Sequence, residues 1–422
     1  MARLGLALLL LVSLAASAQS ICDPEGVQAS GSRYRICMPP AGAYNGSLIV
    51  WAHGFQDAGT PVQIPEDQLC FAGLCLNELA NGLGFGFATN SYSKTGLAIV
   101  EGRNDILDLV NLYKAQKGNP SKVYLVGASE GGVITALALE QNSNVFSSGV
   151  AACGPIGDFP MQINYFGDAR ATFEYFFPGV IPGPPFDPQP LLVQVWSQYY
   201  DVNVKPLVMH PANRARLDDW VRVAKLPYDP ADYLGTVETS VRDVLRYSVV
   251  NLKDAAQVLG GMPFDNMSRF YTGSSNDLLL NISVPRVAAA AAALAAMNGN
   301  GYRTTGQLHR PLITMHTTLD QQVPYLHQIL YSLKTIGTGD FISRHFPLEV
   351  QRYEHCNFQT DEVILAFILM LFFDDVVEEV SGLAATLEPA QLERITGRLR
   401  AAGVPYRTDG PKLKIKLKKG KK

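Results

Sequence analysis

The stretch Val123–Leu139, VYLVGASEGGVITALAL, decides the fold of this chain. Its first four residues are apolar and favour a buried strand, and its alanine- and leucine-rich end favours a helix. At the junction, residues 127–131 read GASEG, which matches G-x-S-x-G. A tight strand-to-helix turn at such a motif lifts the serine hydroxyl above the sheet. The junction therefore predicts Ser129 as a nucleophile, and the alternative is an ordinary turn.

Apolar runs and helical patterns alternate around this stretch. Ser47–Ala52 (SLIVWA), Phe85–Thr89 and Phe146–Ala152 are short apolar runs typical of buried strands. Leu97–Lys114 has apolar residues at helical spacing. Strands that alternate with helices build βαβ units. The sequence therefore predicts an α/β fold, with a mostly parallel central sheet flanked by helices.

The alternation stops after residue 154 and resumes near residue 308. Residues 155–307 are aromatic, proline-bearing and largely helical in character, and Arg286–Met297 is predicted as an alanine-rich helix. Two further strands and two further helices are then predicted: Pro311–His316, Leu326–Lys334, Leu348–Arg352 and Asp361–Phe373. An insertion between two strands of a sheet is a natural place for a lid over an active site.

These changes in sequence pattern divide the chain into five predicted parts. Residues 1–18 are a signal peptide, because Arg3, an apolar run over Leu6–Leu14 and the small residues Ala16-Ser17-Ala18 follow the export pattern. The alternative is an uncleaved anchor. Residues 19–154 and 308–377 are the catalytic core, and residues 155–307 are the helical lid. Residues 378–410 are a helical extension, and residues 411–422 are a basic tail.

His355 is the predicted general base. A serine hydroxyl is a weak nucleophile near neutral pH and needs a base to accept its proton. The chain has seven histidines, and His355 lies in the loop after the last predicted strand. His309, His316 and His327 are alternatives. His316 ends a predicted strand, where a buried structural histidine is equally common.

Asp320 is the predicted acid. A carboxylate must hold the histidine in the correct tautomer. Asp320 lies in the loop after the strand Pro311–His316, far enough before His355 to allow one helix and one strand between them. Glu354 and Asp361 are alternatives that lie nearer to the histidine in sequence. The other interpretation of Glu354 is a solvated loop residue, and that of Asp361 is a charge at a helix N-terminus.

Two backbone amides are predicted to stabilise the negative charge that forms when a serine attacks a carbonyl group. Glu130 follows the nucleophile at a helix N-terminus, where N–H groups face a developing oxyanion. The second donor comes from the loop after SLIVWA, where His53-Gly54-Phe55 follows the strand. Phe55 is the predicted donor and Gln56 is the alternative.

Six cysteines suit an oxidising compartment, since an even count in an exported chain indicates pairing. Pairing by sequence proximity joins Cys22 to Cys37 and Cys70 to Cys75, which leaves Cys153 and Cys356 as the third pair. Six cysteines allow 15 connectivities, so the other pairings stay open. Their spacings match no zinc site, and no glycine-rich phosphate loop is present in the sequence. We therefore expect no metal and no cofactor.

Charge divides the chain unevenly. The net charge is −3, and the last twelve residues contain seven lysines and no acid, so the remainder carries −10. An acidic body does not favour nucleic-acid binding. The tail, KLKIKLKKGKK, either contacts an anionic surface weakly or is a solvated tail. The oligomeric state stays open.

The arrangement HGF…GASEG…TTLDQQVP…EHCNF resembles the α/β-hydrolase superfamily over residues 25–375, where the order is serine, acid, histidine. Cys356, directly after His355, is similar to secreted feruloyl esterases and tannases, in which a disulfide ties the histidine loop to the nucleophile region. Those enzymes have a cysteine before the serine, where this chain has Ala128. Cys153 is the partner available here.

This resemblance implies hydrolysis of a carboxylic ester, a thioester or a peptide. We expect a secreted (extracellular or periplasmic) serine hydrolase that cleaves small or polymeric esters through an acyl-enzyme intermediate. The alternatives are a secreted serine aminopeptidase of the same fold and a non-catalytic binding protein. Residues 155–307 include several aromatic residues, and these either line an apolar pocket or form the interior of the lid. They are Phe173, Tyr175, Phe176, Phe177, Trp196, Tyr199 and Tyr200.

Overall fold

A computed structural model describes residues 21–71, 74–374, 389–401, 406–409 and 412–415. The predicted signal peptide lies outside these residues. The described strands are β1 (Ile21–Cys22), β2 (Gly26–Val27), β3 (Arg33–Met38), β4 (Ser47–Ala52), β5 (Cys70–Phe71), β6 (Leu74–Cys75), β7 (Gly86–Asn90), β8 (Lys122–Ala128), β9 (Ser148–Ala152), β10 (Leu312–Leu319), β11 (His345–Tyr353), β12 (Tyr406–Asp409) and β13 (Lys412–Ile415).

Nine of these strands form one sheet in the order β1-β3-β7-β4-β8-β9-β10-β11, with β2 also paired to β3. The six strands from β7 to β11 along this order are parallel to one another. β3 is antiparallel to its neighbours at one edge. The predicted α/β fold with a mostly parallel sheet is confirmed.

Helices cover both faces of the sheet. The described α-helices are α1 (Leu76–Gly82), α2 (Ile99–Lys117), α3 (Glu130–Gln141), α4 (Phe159–Phe176), α5 (Pro190–Gln194), α6 (Trp196–Tyr199), α7 (Lys205–Val208), α8 (Arg214–Ala224), α9 (Tyr233–Arg246), α10 (Leu252–Leu259), α11 (Asp277–Ser283), α12 (Ala291–Met297), α13 (Leu326–Thr338), α14 (Thr360–Phe373) and α15 (Pro389–Ala401). Apolar side chains of α2 and α3 pack on one face, and those of α1 and α14 pack on the other.

Burial on both faces explains the composition of the central elements. All six residues of β4, SLIVWA, are buried, as expected for a parallel strand that is covered by helices on both sides. α3 is buried along nearly its whole length and lacks a polar face. The turn between β8 and α3 is therefore held between two packed elements.

Helices α4 to α12 lie between β9 and β10, and we call residues 155–307 the insertion. One of its helices is shorter than predicted, because α12 begins at Ala291 and not at Arg286. Residues 287–290 instead bond to an upstream loop: Val287 N–H donates to Asn266 Oδ1 at 2.8 Å, and Ala290 N–H donates to the Met262 carbonyl at 2.8 Å. These tertiary bonds override the helical preference of alanine.

The C-terminal segment contains more than the predicted helix. α15 contacts α14 through an ion pair between Arg394 and Asp361 at 2.7 Å. β12 pairs antiparallel with β13, and the two strands lie on either side of the predicted boundary between extension and tail. The alternation of lysine with apolar residues in the sequence of β13 has the period of a strand. No helix in the described part of the chain has the length and apolarity to cross a membrane.

Candidate active site

Ser129 occupies a strained turn between β8 and α3. Its φ is 56° and its ψ is −119°, in the left-handed region that non-glycine residues rarely adopt. The turn is tight enough to require glycine on both sides. A Cβ on Gly127 would lie 2.2 Å from the Gly131 carbonyl oxygen, and one on Gly131 would lie 2.0 Å from the Ala52 oxygen. The strain holds the Ser129 hydroxyl above the sheet.

The structure brings together the three side chains that the sequence singled out. His355 Nε2 lies 2.9 Å from Ser129 Oγ, and His355 Nδ1 lies 2.7 Å from Asp320 Oδ2. Asp320 and His355 follow β10 and β11, two neighbouring strands whose carboxyl ends share the edge of the sheet where β8 ends. With Nδ1–H donating to the carboxylate, Nε2 is free to accept the serine proton.

Asp320 is fully buried and ionised. Burial opposes its charge, but the neighbouring His355 and His316 hold the pKa of the Asp320 carboxyl below its ordinary value. Its second oxygen, Oδ1, accepts the backbone amides of Gln322 and Val323 at 2.9 and 2.8 Å. A carboxylate held by two amides and a histidine has a fixed orientation, so it fixes the imidazole in turn.

The alternative histidines and acids have other partners or positions. His316 donates from Nε2 to the Val323 carbonyl at 2.8 Å. Burial lowers the pKa of His327 to about 3, and this histidine accepts the Gly157 amide at 3.2 Å. His309 is exposed, and Asp361 pairs with Arg394. Glu354 precedes His355, and its backbone has a φ of 87°.

The two predicted amide donors border the same cavity as Ser129. Among the described residues, neither the Phe55 amide nor the Glu130 amide has a hydrogen-bond partner. The preceding amide, that of Gly54, is already bonded to Gln68 Oε1 at 2.6 Å. Gln56, the alternative, does not line the cavity. Two free amides beside a serine hydroxyl are what a developing oxyanion requires.

A disulfide holds the histidine loop. The three predicted pairs are present: Cys22–Cys37, Cys70–Cys75 and Cys153–Cys356. Both neighbours of His355 have left-handed backbones, with a φ of 87° at Glu354 and 53° at Cys356, and Cys153 has a φ of 45°. Conformations of this kind are costly and persist where the surroundings impose them. The Cys153–Cys356 bond is one such constraint.

One group of potential metal ligands is found among the described residues, namely Cys153, His355 and Cys356 around this disulfide. Both sulfur atoms belong to the disulfide, so neither is a thiolate, which is the form that binds metal. His355 is bonded on both ring nitrogens. These residues do not fit a metal ion.

A cavity lies beside Ser129. Its walls are mainly apolar, and the insertion supplies many of them: Phe159, Ile163, Phe166, Tyr247, Leu252 and Ala255. Phe166 stacks on Tyr247 with ring centroids 4.7 Å apart. This lining suits an apolar organic group. A second apolar cavity lies between the sheet and helices α1 and α14, and Ser129 does not line it.

The aromatic residues predicted as possible pocket lining do not line the cavity beside Ser129. They pack inside the insertion, as the alternative prediction stated. Phe173 and Phe177 stack at 5.2 Å, and both contact the ring of Trp220. These rings are therefore the core of the insertion, and the cavity is lined by other aromatic residues.

Helix α9 of the insertion contacts the loop of Asp320 and the loop of Phe55, which the sequence did not indicate. Asp243 Oδ2 accepts hydrogen bonds from Gln321 Nε2 at 2.8 Å and from Gln322 Nε2 at 2.9 Å. Gln321 Oε1 in turn accepts the His355 backbone amide at 2.9 Å. One turn further along, Arg246 pairs with Asp57 at 2.6 Å, in the loop that presents Phe55. The insertion thus contributes to the position of both loops.

The strand order, the strained serine after β8 and the sequence order of Ser129, Asp320 and His355 define an α/β-hydrolase fold. No protein-family model and no curated protein sequence matches the chain.

Several solved structures are similar to the chain. An acylaminoacyl peptidase of Pyrococcus horikoshii is 11% identical with a TM-score of 0.41, over 89% of this chain and 44% of its own. An esterase of Pyrococcus furiosus is 10% identical with a TM-score of 0.42, over 85% of this chain and 93% of its own. Dipeptidyl peptidase 4 of Porphyromonas gingivalis is 11% identical with a TM-score of 0.40, over 85% of this chain and 36% of its own.

The chain therefore spans less than half the length of the two peptidases. At these identities and TM-scores, the fold assignment depends on the strand order and the serine turn rather than on the neighbours.

Proposed function

We propose that this chain is a serine hydrolase that cleaves carboxylic esters through an acyl-enzyme intermediate. The observation that carries the proposal is the continuous chain of hydrogen bonds from Ser129 Oγ to His355 and from His355 to the buried carboxylate of Asp320, with distances of 2.9 and 2.7 Å. Hydrogen bonds in this arrangement make a serine nucleophilic at neutral pH.

The geometry supports a two-step reaction. Ser129 Oγ attacks the ester carbonyl carbon while His355 Nε2 accepts its proton, and the Phe55 and Glu130 amides bind the oxyanion. The tetrahedral intermediate then collapses: the bond to the alcohol oxygen breaks, and the alcohol leaves with the proton from His355. Water attacks the acyl-enzyme with His355 again as base. The bond between the acyl carbon and Ser129 Oγ then breaks, His355 returns the proton to Ser129 Oγ, and the acid product leaves.

The cavity favours an ester over the amine-bearing substrate of an aminopeptidase. An aminopeptidase site needs a negative charge near the nucleophile to bind the substrate ammonium group. The carboxyl group that borders this cavity is that of Glu130, and burial raises its pKa to about 8. It is therefore largely neutral at pH 7 and offers little charge to an ammonium group. The remaining lining is mainly apolar.

We further propose that the protein acts outside the cytoplasm, in the extracellular space or the periplasm. The three disulfides are consistent with an oxidising compartment. The predicted signal peptide supports the same location.

The test compares wild type with Ser129→Ala on p-nitrophenyl esters of increasing acyl length, in protein expressed with disulfide formation. Ser143→Ala, a serine on the loop after α3, is the matched control. We expect Ser129→Ala to lower kcat by roughly 10⁴- to 10⁶-fold, because the serine and histidine act as a unit. Equal activity in both proteins would exclude Ser129 as the nucleophile. Activity on aminoacyl p-nitroanilides alone would favour the aminopeptidase.

A further inference from the structure

Two polar side chains border the cavity beside Ser129 with unpaired hydrogen-bonding atoms. Asn251 is 8% exposed, and neither its Nδ2 nor its Oδ1 has a partner in the part of the chain that the structure describes. Gln162 is 4% exposed; its Nε2 donates to the Gln322 carbonyl at 2.8 Å, but its Oε1 has no partner there. Both residues line the cavity together with Ser129.

The local backbone presents Asn251 to the cavity. Residues Tyr247–Asn251 form a single turn of π-helix between α9 and α10, and both end residues of that turn line the cavity. Short π-helical turns are uncommon and occur frequently at functional sites. Tyr247 contributes an aromatic wall and donates from its hydroxyl to Gln322 at 3.0 Å. Asn251 lies at the other end of the same turn.

An unpaired amide in this position is costly. Burial of a polar group without a partner forfeits its hydrogen bonds to water, so buried amides in folded proteins almost always have partners. An apolar substrate group would leave Asn251 and Gln162 Oε1 unpaired in the complex as well. A substrate group that carries its own donor and acceptor would pair with these atoms. Its binding would be favoured by the free-energy difference between paired and unpaired buried polar atoms.

We propose that Asn251 and Gln162 select esters whose cavity-bound part carries hydroxyl groups on an otherwise apolar frame. This inference rests on the proposed ester hydrolysis and specifies its substrate class. A hydroxyl donates to Gln162 Oε1 or Asn251 Oδ1 and accepts from Asn251 Nδ2, while Phe159, Phe166 and Tyr247 cover the apolar frame. A carboxylate group fits less well, because it has no proton to donate to Gln162.

The experiment measures kcat/KM on matched ester pairs that differ by one hydroxyl. The pairs are p-nitrophenyl hexanoate with its 6-hydroxy counterpart, and p-nitrophenyl 3-phenylpropanoate with its 4-hydroxyphenyl counterpart. We expect wild type to prefer the hydroxylated ester at least tenfold in one or both pairs. Asn251→Leu should abolish this preference, so that the ratio of kcat/KM between the hydroxylated and the plain ester falls about 10- to 100-fold. Gln162→Leu should reduce the same ratio.

Asn298→Leu is the control, because Asn298 is an exposed asparagine of the insertion that does not line the cavity. Asn251→Leu should also melt at the same or a higher temperature, since it removes an unpaired buried amide; a purely structural asparagine would lower it. If wild type hydrolyses both members of each pair equally, the inference is overturned and ester hydrolysis stands. If wild type hydrolyses no ester, the proposed function itself fails.

Discussion

The guanidinium group of Arg246 donates a hydrogen bond of 2.6 Å to the carboxylate of Asp57. Arg246 ends helix α9 of the insertion, and Asp57 lies in the loop that presents the Phe55 amide. The two residues are 189 positions apart in sequence. The ion pair therefore joins the insertion to the proposed oxyanion site, at the same helix whose Asp243 holds the loop of Asp320.

Arg246→Met should lower kcat/KM on p-nitrophenyl esters by roughly ten- to a hundredfold, because small displacements of positioning groups have effects of this size. The nucleophile and base remain, so the loss should fall mainly on kcat. Arg214→Met is the control, since Arg214 lies on helix α8 of the insertion and pairs within that helix with Asp218. Asp57→Asn should lower activity similarly, and the double variant should lose no more than either single one. Additive losses would show that the pair does not act as a unit.

Asp320→Asn should lower kcat by roughly 10⁴-fold in a folded protein, because the histidine loses its orienting carboxylate. The variant should also be less stable at neutral pH. The pKa of Asp320 is below the unfolded value of 3.8, so its ionised form stabilises the fold fully above that pH and loses this effect as the pH falls. Asp340→Asn is the matched control: Asp340 is buried and accepts the Leu308 amide at 3.0 Å, away from the site. It should lose stability and keep kcat.

Replacement of Cys153 and Cys356 by alanine should reduce both stability and kcat. The loss of stability should be roughly 2–5 kcal/mol, as for other native disulfides. The loss of kcat follows because the bond holds left-handed backbones on both sides of His355. Alanine at Cys22 and Cys37 is the control, since this bond joins the edge strand β1 to its neighbour β3. It should reduce stability alone. Equal kcat in both double variants would exclude a positioning role for Cys153–Cys356.

Local signals explain how much of the site can be predicted from the sequence. The turn at Ser129 needs glycines at fixed positions, and it joins an apolar strand to a helix. A short stretch of sequence is therefore enough to recognise it. Asp320 and His355 follow predictable strands, and parallel strands end at one edge of the sheet. The side chains of loops after neighbouring strands must therefore come close together.

Contacts of the insertion have no comparable signal. Asp243, Arg246 and Asn251 lie on helices whose sequence shows an apolar face but not the surface that this face covers. The loop residues that they bind are far away in sequence: Gln321 lies 78 positions from Asp243, and Asp57 lies 189 positions from Arg246. The overlong prediction for α12 has the same origin, because a distant loop around Asn266 binds the backbone that alanine would otherwise keep helical.

The side-chain carboxyl of Glu130 should make the stability of the protein depend on pH. Burial raises the pKa of its carboxyl to about 8, although the Ala98 amide donates to it at 2.8 Å. Between pH 4.5 and about 8 the folded state keeps this proton and the unfolded state loses it. The free energy of unfolding therefore falls as the pH rises through this window, by at most about 1.4 kcal/mol per pH unit, and the effect is constant above it.

Glu130→Gln keeps the acceptor for Ala98 and the backbone amide for the oxyanion but cannot ionise. Denaturant unfolding at pH 5.5, 7 and 8.5 should show the variant gaining stability relative to wild type at each step, with most of the gain reached by pH 8.5. Glu78→Gln, at an exposed carboxylate on α1, should show no such gain. Because the substitution spares the amide, kcat at pH 7 should change little. Parallel stability curves for wild type and Glu130→Gln would show that the Glu130 carboxyl has the same pKa in the folded and the unfolded state. Water in the cavity would then have to offset the effect of burial on this pKa.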